Sequence, residues 1–198
     1  MVPYSEASYK AIISLDWSSP KFTVPAGVHV TPIIGMIHSK DTSLWIPGKI
    51  ASPGLEDVAE VGNNIKMNAE LDAILLKNKA LSKFAIPAPG VTSSVETNFT
   101  FNTNYSYISF ASMIAPSPDW FMGIHDVTLF DGKIWLNDVT LNIMVYDAGT
   151  EEGDVFGYNN PGTNPRLNIG LLTPSNASVL ANGNTVIAAI GTIRFVKN

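Results

Sequence analysis

A chain of 198 residues, 45% apolar and only 15% charged, is long enough to bury one large core and too short for two ordinary domains, which excludes an intrinsically disordered protein. Its 17 acidic against 12 basic residues, net charge -5, leave no basic field to draw in nucleic acid, and the absence of cysteine removes disulfides, thiolate metal sites and thiol nucleophiles. No apolar run approaches the roughly 18 residues of a membrane span.

The first residues, Met1 to Glu6, lack the basic and apolar segments of a secretion signal, so if the protein is exported this sequence is its mature part; it reads as one domain over 1–198 with an N-terminal arm at 1–8. Tyr9, Ala11, Ile13, Leu15 and Trp17 alternate with Lys10, Ile12, Ser14 and Asp16, the period of a strand with one face on a core. After Pro20 and Pro25, Val28 to Val30 and the apolar run Pro32 to Ile37 read as short strands. Ser52 to Glu60 has a helix start signal, acidic residues in the first turn and Gly62 as a stop. Met67, Leu71, Ile74, Leu75 and Asn78 fall at spacings of three and four, which predicts a second helix from about Lys66 to Lys79, closed by Pro87 and Pro89. Everything beyond Val91 reads as strand and loop: Val95 to Phe101, Tyr105 to Ile114, Ile134 to Tyr146 and Thr185 to Val196. The predicted class is all-β, an antiparallel β-sandwich with one or two short helices inserted in its first half.

Few residues suggest catalysis. His29, His38 and His125 lie far apart with no metal-ligand spacing and read as structural hydrogen-bonding residues, and neither a nucleophile elbow nor a phosphate loop is present. Carboxylates are more informative. Asp147-Ala148-Gly149-Thr150-Glu151-Glu152-Gly153-Asp154 crowds its acidic side chains directly after a strand. Such crowding suits a hard divalent cation, above all calcium, which takes six to eight oxygens from flexible loops; it also suits a solvated acidic turn. An EF-hand is excluded, because Glu152 and Tyr158 stand where that loop needs Gly and Glu. Upstream, Pro116 and Pro118 stiffen a turn that presents Asp119 beside Trp120, which reads equally as a plain turn with an anchoring aromatic.

These segments carry a resemblance. Met113 to Trp120 with Gly123, then Trp135, then Asp147-Ala148-Gly149-Thr150-Glu151 with Gly153, Pro161 and Asn164-Pro165, resembles the spondin domain family, the amino-terminal module of F-spondin and mindin. Trp17-Ser18, His29-Val30-Thr31-Pro32, Leu44-Trp45, Gly54 and Ala59-Glu60-Val61-Gly62 extend it across the front half. The resemblance implies a C2-like sandwich, an extracellular, secreted and non-enzymatic module for matrix adhesion or cell recognition, and a Ca2+ ion held by Asp119, Asp147 and Glu151. The family has Asp at the last of these positions, so Glu151 departs from it by one methylene. Animal members also carry disulfides and often thrombospondin repeats; a cysteine-free, stand-alone domain is similar to the microbial members.

Three function classes follow. The first is the calcium-binding adhesion or matrix module with a protein or glycan partner. The second is a self-associating subunit of an extracellular filament or surface layer, built by strand complementation through the N-terminal arm and the final strand. The third is a hydrolase using Asp119 and Glu151 as a carboxylate pair. Asn98, Asn104 and Asn176 head N-glycosylation patterns, and Trp17, Trp45, Trp120 and Trp135 could either fill core or line a sugar platform.

Overall fold

The computed structural model describes residues 3–18 and 21–198; the predicted break at Pro20 and the first two residues of the arm lie outside them. The strands are β1 Glu6–Leu15, β2 His29–Val30, β3 Ile33–His38, β4 Ala80–Ile86, β5 Ser94–Asn102, β6 Tyr107–Ala115, β7 Trp120–Thr128, β8 Asp138–Asp147, β9 Gly170–Leu171 and β10 Gly191–Lys197. They form one antiparallel sheet in the order β4-β3-β6-β7-β8-β10-β1-β5, with β2 added on β6 and β9 on β8. The sheet curls until its two edge strands face each other, with the rings of Phe84 in β4 and Phe99 in β5 only 4.7 Å apart. The all-β, antiparallel expectation is therefore met, and the two faces of the predicted sandwich are parts of one folded sheet.

Burial explains the layering. The alternation in β1 puts Tyr9, Ala11, Ile13 and Leu15 into the interior with Trp17, Phe101, Phe110, Trp120 and Phe195. A second core lies outside the sheet, where Leu55, Val58, Ala59, Met67 and Leu71 of two helices cover Ile34, Met36, Ala111 and Phe121. These helices are α1 Pro53–Val61 and α2 Ile65–Leu76. Local chemistry bounds α1 at both ends. The Ser52 hydroxyl accepts the Leu55 N–H at 3.1 Å, and left-handed Gly62 donates its N–H to Val58 at 3.1 Å. The second helix stops at Leu76 rather than at Lys79, because Asn78 turns left-handed (φ 53) and sends the chain into β4. A third helix that the sequence did not predict, α3 Ser178–Ala181, tucks Leu180 and Ala181 into the interior.

Other departures concern strands. The first five residues of β7 are all buried, and β4 is a half-exposed edge strand in which only Ala80 and Ile86 are buried, so neither shows the alternation that would reveal it. The last strand starts at Gly191, not Thr185: residues 184–190 run as bend and loop, with Ile187 and Ile190 buried, before the ladder begins. The predicted arm is shorter than 1–8, because Glu6 to Ser8 already pair with Asn102 to Thr100. Terminal-strand complementation loses its basis here: β1 is paired on both sides, to β10 and β5, and β10 to β8 and β1. All four tryptophans are buried, which corrects the sugar-platform alternative.

One buried polar network spans β3, β6 and β7. His38, fully buried under the Tyr107 ring, has its Nδ1 2.9 Å from the Ser39 carbonyl and its Nε2 2.9 Å from the Ser109 hydroxyl. That assigns the proton to Nδ1 and makes Ser109 the donor to Nε2. Burial pushes the His38 pKa below its ordinary value of 6.5, outweighing the Ser39 and Thr42 carbonyls and the Asp126 carboxylate, which favour the cation. A depressed histidine contributes stability that is full above the unfolded pKa and falls as pH drops through 6.5, because the unfolded chain takes up the proton first. The His38 ring resonances should accordingly titrate below 6.5 in the folded protein. A proton NMR titration with a midpoint at or above 6.5 would contradict this.

Candidate metal centre

The β7–β8 hairpin places the acidic segments together. In an antiparallel pair the start of one strand meets the end of the next, and Trp120 is the register partner of Asp147. Asp119, one residue before β7, accepts the Ala148 N–H on its main-chain oxygen at 3.1 Å. The turn ahead of it is stapled by Ser117, whose hydroxyl accepts the Trp120 N–H at 3.2 Å and donates to the Ile114 carbonyl.

The Asp119 side chain is fully buried. Its Oδ2 accepts the Thr150 N–H at 2.6 Å, the Thr150 hydroxyl at 3.2 Å and the Glu151 N–H at 3.2 Å. Its Oδ1 is equally buried and has no hydrogen-bond partner. Burial raises the Asp119 pKa, against the pull of the Thr150, Glu151 and Gly149 donors. Asp147 accepts the Gly149 N–H at 2.7 Å, and burial together with the charge of Asp119 pushes it up to about 6. Burial, then the charges of Glu60 and Asp119, push Glu151 up to about 7 despite a hydrogen bond from Asn160.

The loop between these residues has little freedom. Gly149 sits at φ +75, and a Cβ there would lie 2.3 Å from the Leu167 carbonyl oxygen, so only glycine lets the chain return along itself. That return is made by Leu167 N–H to Gly149 O at 2.9 Å, Thr163 N–H to Thr150 O at 2.9 Å, and an isolated bridge between Glu151 and Gly162. Phe156, from the same loop, caps Trp120 edge-on at 5.5 Å. Asp147, Glu151, Glu152 and Asp154 line an open groove of about 450 Å³ beside it.

The structure thus brings Asp119, Asp147 and the start of the Glu151 segment to one end of the sheet. Among the described residues, no three His, Asp or Glu side chains are already drawn into a metal cage. The donor set is nevertheless of the right kind. It consists of carboxylate oxygens on a glycine-hinged loop, and a buried oxygen without a partner is the atom a hard cation would satisfy. Sequence reasoning missed two neighbours, Thr150 and Glu60 of α1. The Glu60 pKa is raised, first by burial and then by Glu56 and Asp119, and lowered by a hydrogen bond from Thr150. Glu60 stands one helical turn after Glu56, a spacing that signals a shared helix face but not what that face meets.

The Spondin_N family profile matches residues 7–182. Spondin-2 of Rattus norvegicus is 32% identical over 185 residues, covering 89% of this chain and 56% of the relative, and Spondin-2 of Homo sapiens is 32% identical over 188 residues, covering 89% and 55%. Spondin-1 of Gallus gallus is 32% identical over 176 residues, covering 84% of this chain and 22% of the relative. The chain therefore spans about half the length of the Spondin-2 proteins and about a fifth of Spondin-1. With a match over nearly its whole length, the chain belongs to the Spondin_N family.

Proposed function

We propose that this chain is a secreted, calcium-binding, non-enzymatic module that works outside the cell in adhesion or matrix contacts with a protein or glycan partner. The calcium part is carried by one observation: Asp119 Oδ1 is buried without a partner beside Asp147 and the Glu151 loop. Asp119, Asp147 and Glu151 would hold the ion, with Glu151 reaching from one methylene further out. Family membership supports the extracellular adhesion role. The non-enzymatic reading is supported by the burial of Asp119, which leaves a carboxylate-pair hydrolase without an acid open to substrate.

A cation that links the Asp119 turn to the Asp147 loop acts as a staple, and it stabilises by mass action. With a dissociation constant of about 0.1 mM, typical of extracellular sites, about 1 mM calcium adds roughly 1.4 kcal/mol. For a domain of this size that is an upward shift of about 3 to 6 °C in thermal midpoint. Differential scanning fluorimetry should show this shift in the wild type, and Asp147→Asn should lose most of it. A wild-type midpoint that stays constant up to 10 mM calcium would sink the calcium reading.

A further inference from the structure

We infer that the groove at the end of the sheet remote from Asp119 binds a neutral oligosaccharide, held by the rings of Tyr107 and Phe130 and the polar groups of Lys40, Asp41, Asn104 and Asp131; this rests on the glycan partner proposed above. The groove has a volume of about 690 Å³, within the range of small-ligand sites. It lies where β3, β5 and β7 end and β6 begins, with Tyr107 the register partner of Thr128. Trp120 opens β7 at the acidic end, and the nine residues of that strand span roughly 25 Å, so the two sites are separate.

Composition decides the ligand class. Among the described residues that line the groove none is aliphatic, so it offers no dry pocket for the apolar anchor on which a peptide partner depends. Lys40 against Asp41 and Asp131 leaves no excess of cations, which disfavours sulfated glycans and other polyanions. A neutral sugar suits what remains: its C–H faces lie against aromatic rings, and its hydroxyls pair with carboxylate and amide groups. These groups are ordered in advance, which lowers the entropic cost of association. The half-buried Tyr107 ring lies over His38 at 6.0 Å, and the half-buried Phe130 packs on Trp135 at 4.9 Å. Asp131 Oδ1 accepts the N–H groups of Lys133 and Ile134, both at 2.8 Å, while its Oδ2 takes no hydrogen bond from the described residues. Asn102 Oδ1 accepts the N–H groups of Asn104 and Tyr105 at 3.0 and 3.2 Å and so fixes the turn that carries Asn104. The Asn104 amide, the Tyr107 hydroxyl and the Lys40 ammonium have no hydrogen-bond partner among the described residues.

The test uses the chain produced in a bacterial host, so that Asn104 carries no glycan of its own. It is titrated with maltotriose, cellotriose, xylotriose, mannotriose and chitotriose and followed by saturation-transfer difference and amide-correlation NMR. At least one trisaccharide should bind with millimolar or tighter affinity, shifting the amides of Asn104, Tyr107 and Asp131 but not those of Thr150 and Glu151, equally in EDTA and in calcium. Asn104→Ala and Asp41→Ala, both at exposed positions, should each weaken binding about fivefold or more, as the loss of a hydrogen-bonding group requires. If a trisaccharide binds and both variants hold it within twofold of the wild type, or if EDTA abolishes binding, the groove is not the site, while a glycan partner stands. If none of the five binds, the groove and the glycan partner fall together and only a protein partner is left.

Discussion

Asp119→Ala should lower the cation-free stability by about 3 kcal/mol, whereas Asp119→Asn should leave it unchanged or raise it, and both should abolish the response to calcium. The contrast comes from the two oxygens of one carboxylate. Alanine removes the acceptor for the N–H groups of Thr150 and Glu151, which are then buried without partners at about 1 to 3 kcal/mol each. Asparagine keeps an acceptor at Oδ2 and replaces the unpartnered Oδ1 with an amide nitrogen. That nitrogen carries no charge and can donate to the Asp147 or Glu151 carboxylate. Removing a buried charge that has only hydrogen-bond donors on one oxygen and no cation beside it relieves its desolvation cost. Denaturant unfolding in EDTA and in millimolar calcium separates the cases. If asparagine costs as much as alanine without cation, the protein itself uses the Oδ1 charge, and the case for an absent ligand weakens.

What was legible in the sequence depended on how many faces of each segment are buried. Strand β1 has one face on the core and one beside polar neighbours, so its alternation survives in the residue pattern. Strand β7 is buried on both faces at its start and left only a short apolar run that periodicity could not classify, whereas β4 is a half-exposed edge strand whose Ser82 and Lys83 break any apolar pattern. Helix α1 was readable because Ser52 and Gly62 are chemical end-stops, and the end of α2 was not, because Asn78 continues the apolar spacing while leaving the helix. The pairing of Asp119 with Asp147 could not be derived from spacing. It depends on the β7–β8 register, and with β7 unseen only family resemblance connected the two. Glu60 was beyond reach for a related reason, since a helix face does not announce which distant loop will cover it.

Trp45→Ala should cost about 4 kcal/mol and also shrink the calcium-dependent shift, although the ring partners and the hydrogen-bond acceptor of Trp45 are none of the acidic residues. The ring is 4% exposed and packs against Phe121 at 4.9 Å, Tyr146 at 4.7 Å and His125 at 4.9 Å, with its Nε1 donating to the Phe110 carbonyl at 3.1 Å. Truncating a buried tryptophan leaves a cavity worth about 3 to 5 kcal/mol, which in a domain of this size lowers the midpoint by roughly 6 to 20 °C. Trp45→Phe keeps most of the ring and loses the indole N–H, so it should cost about 1 to 2 kcal/mol. The effect on calcium follows from connectivity. Phe121 comes two residues after Asp119, Tyr146 comes one residue before Asp147, and their rings stack at 5.6 Å with Trp45 pressed across both. The tryptophan thus braces the two strand ends that carry the acids. Loosening that brace lets the Asp119 turn and the Asp147 loop move apart, and a cation that needs both loses affinity. A Trp45→Ala protein that unfolds at the lowered temperature yet retains the full calcium shift would show that the hairpin register alone holds the site.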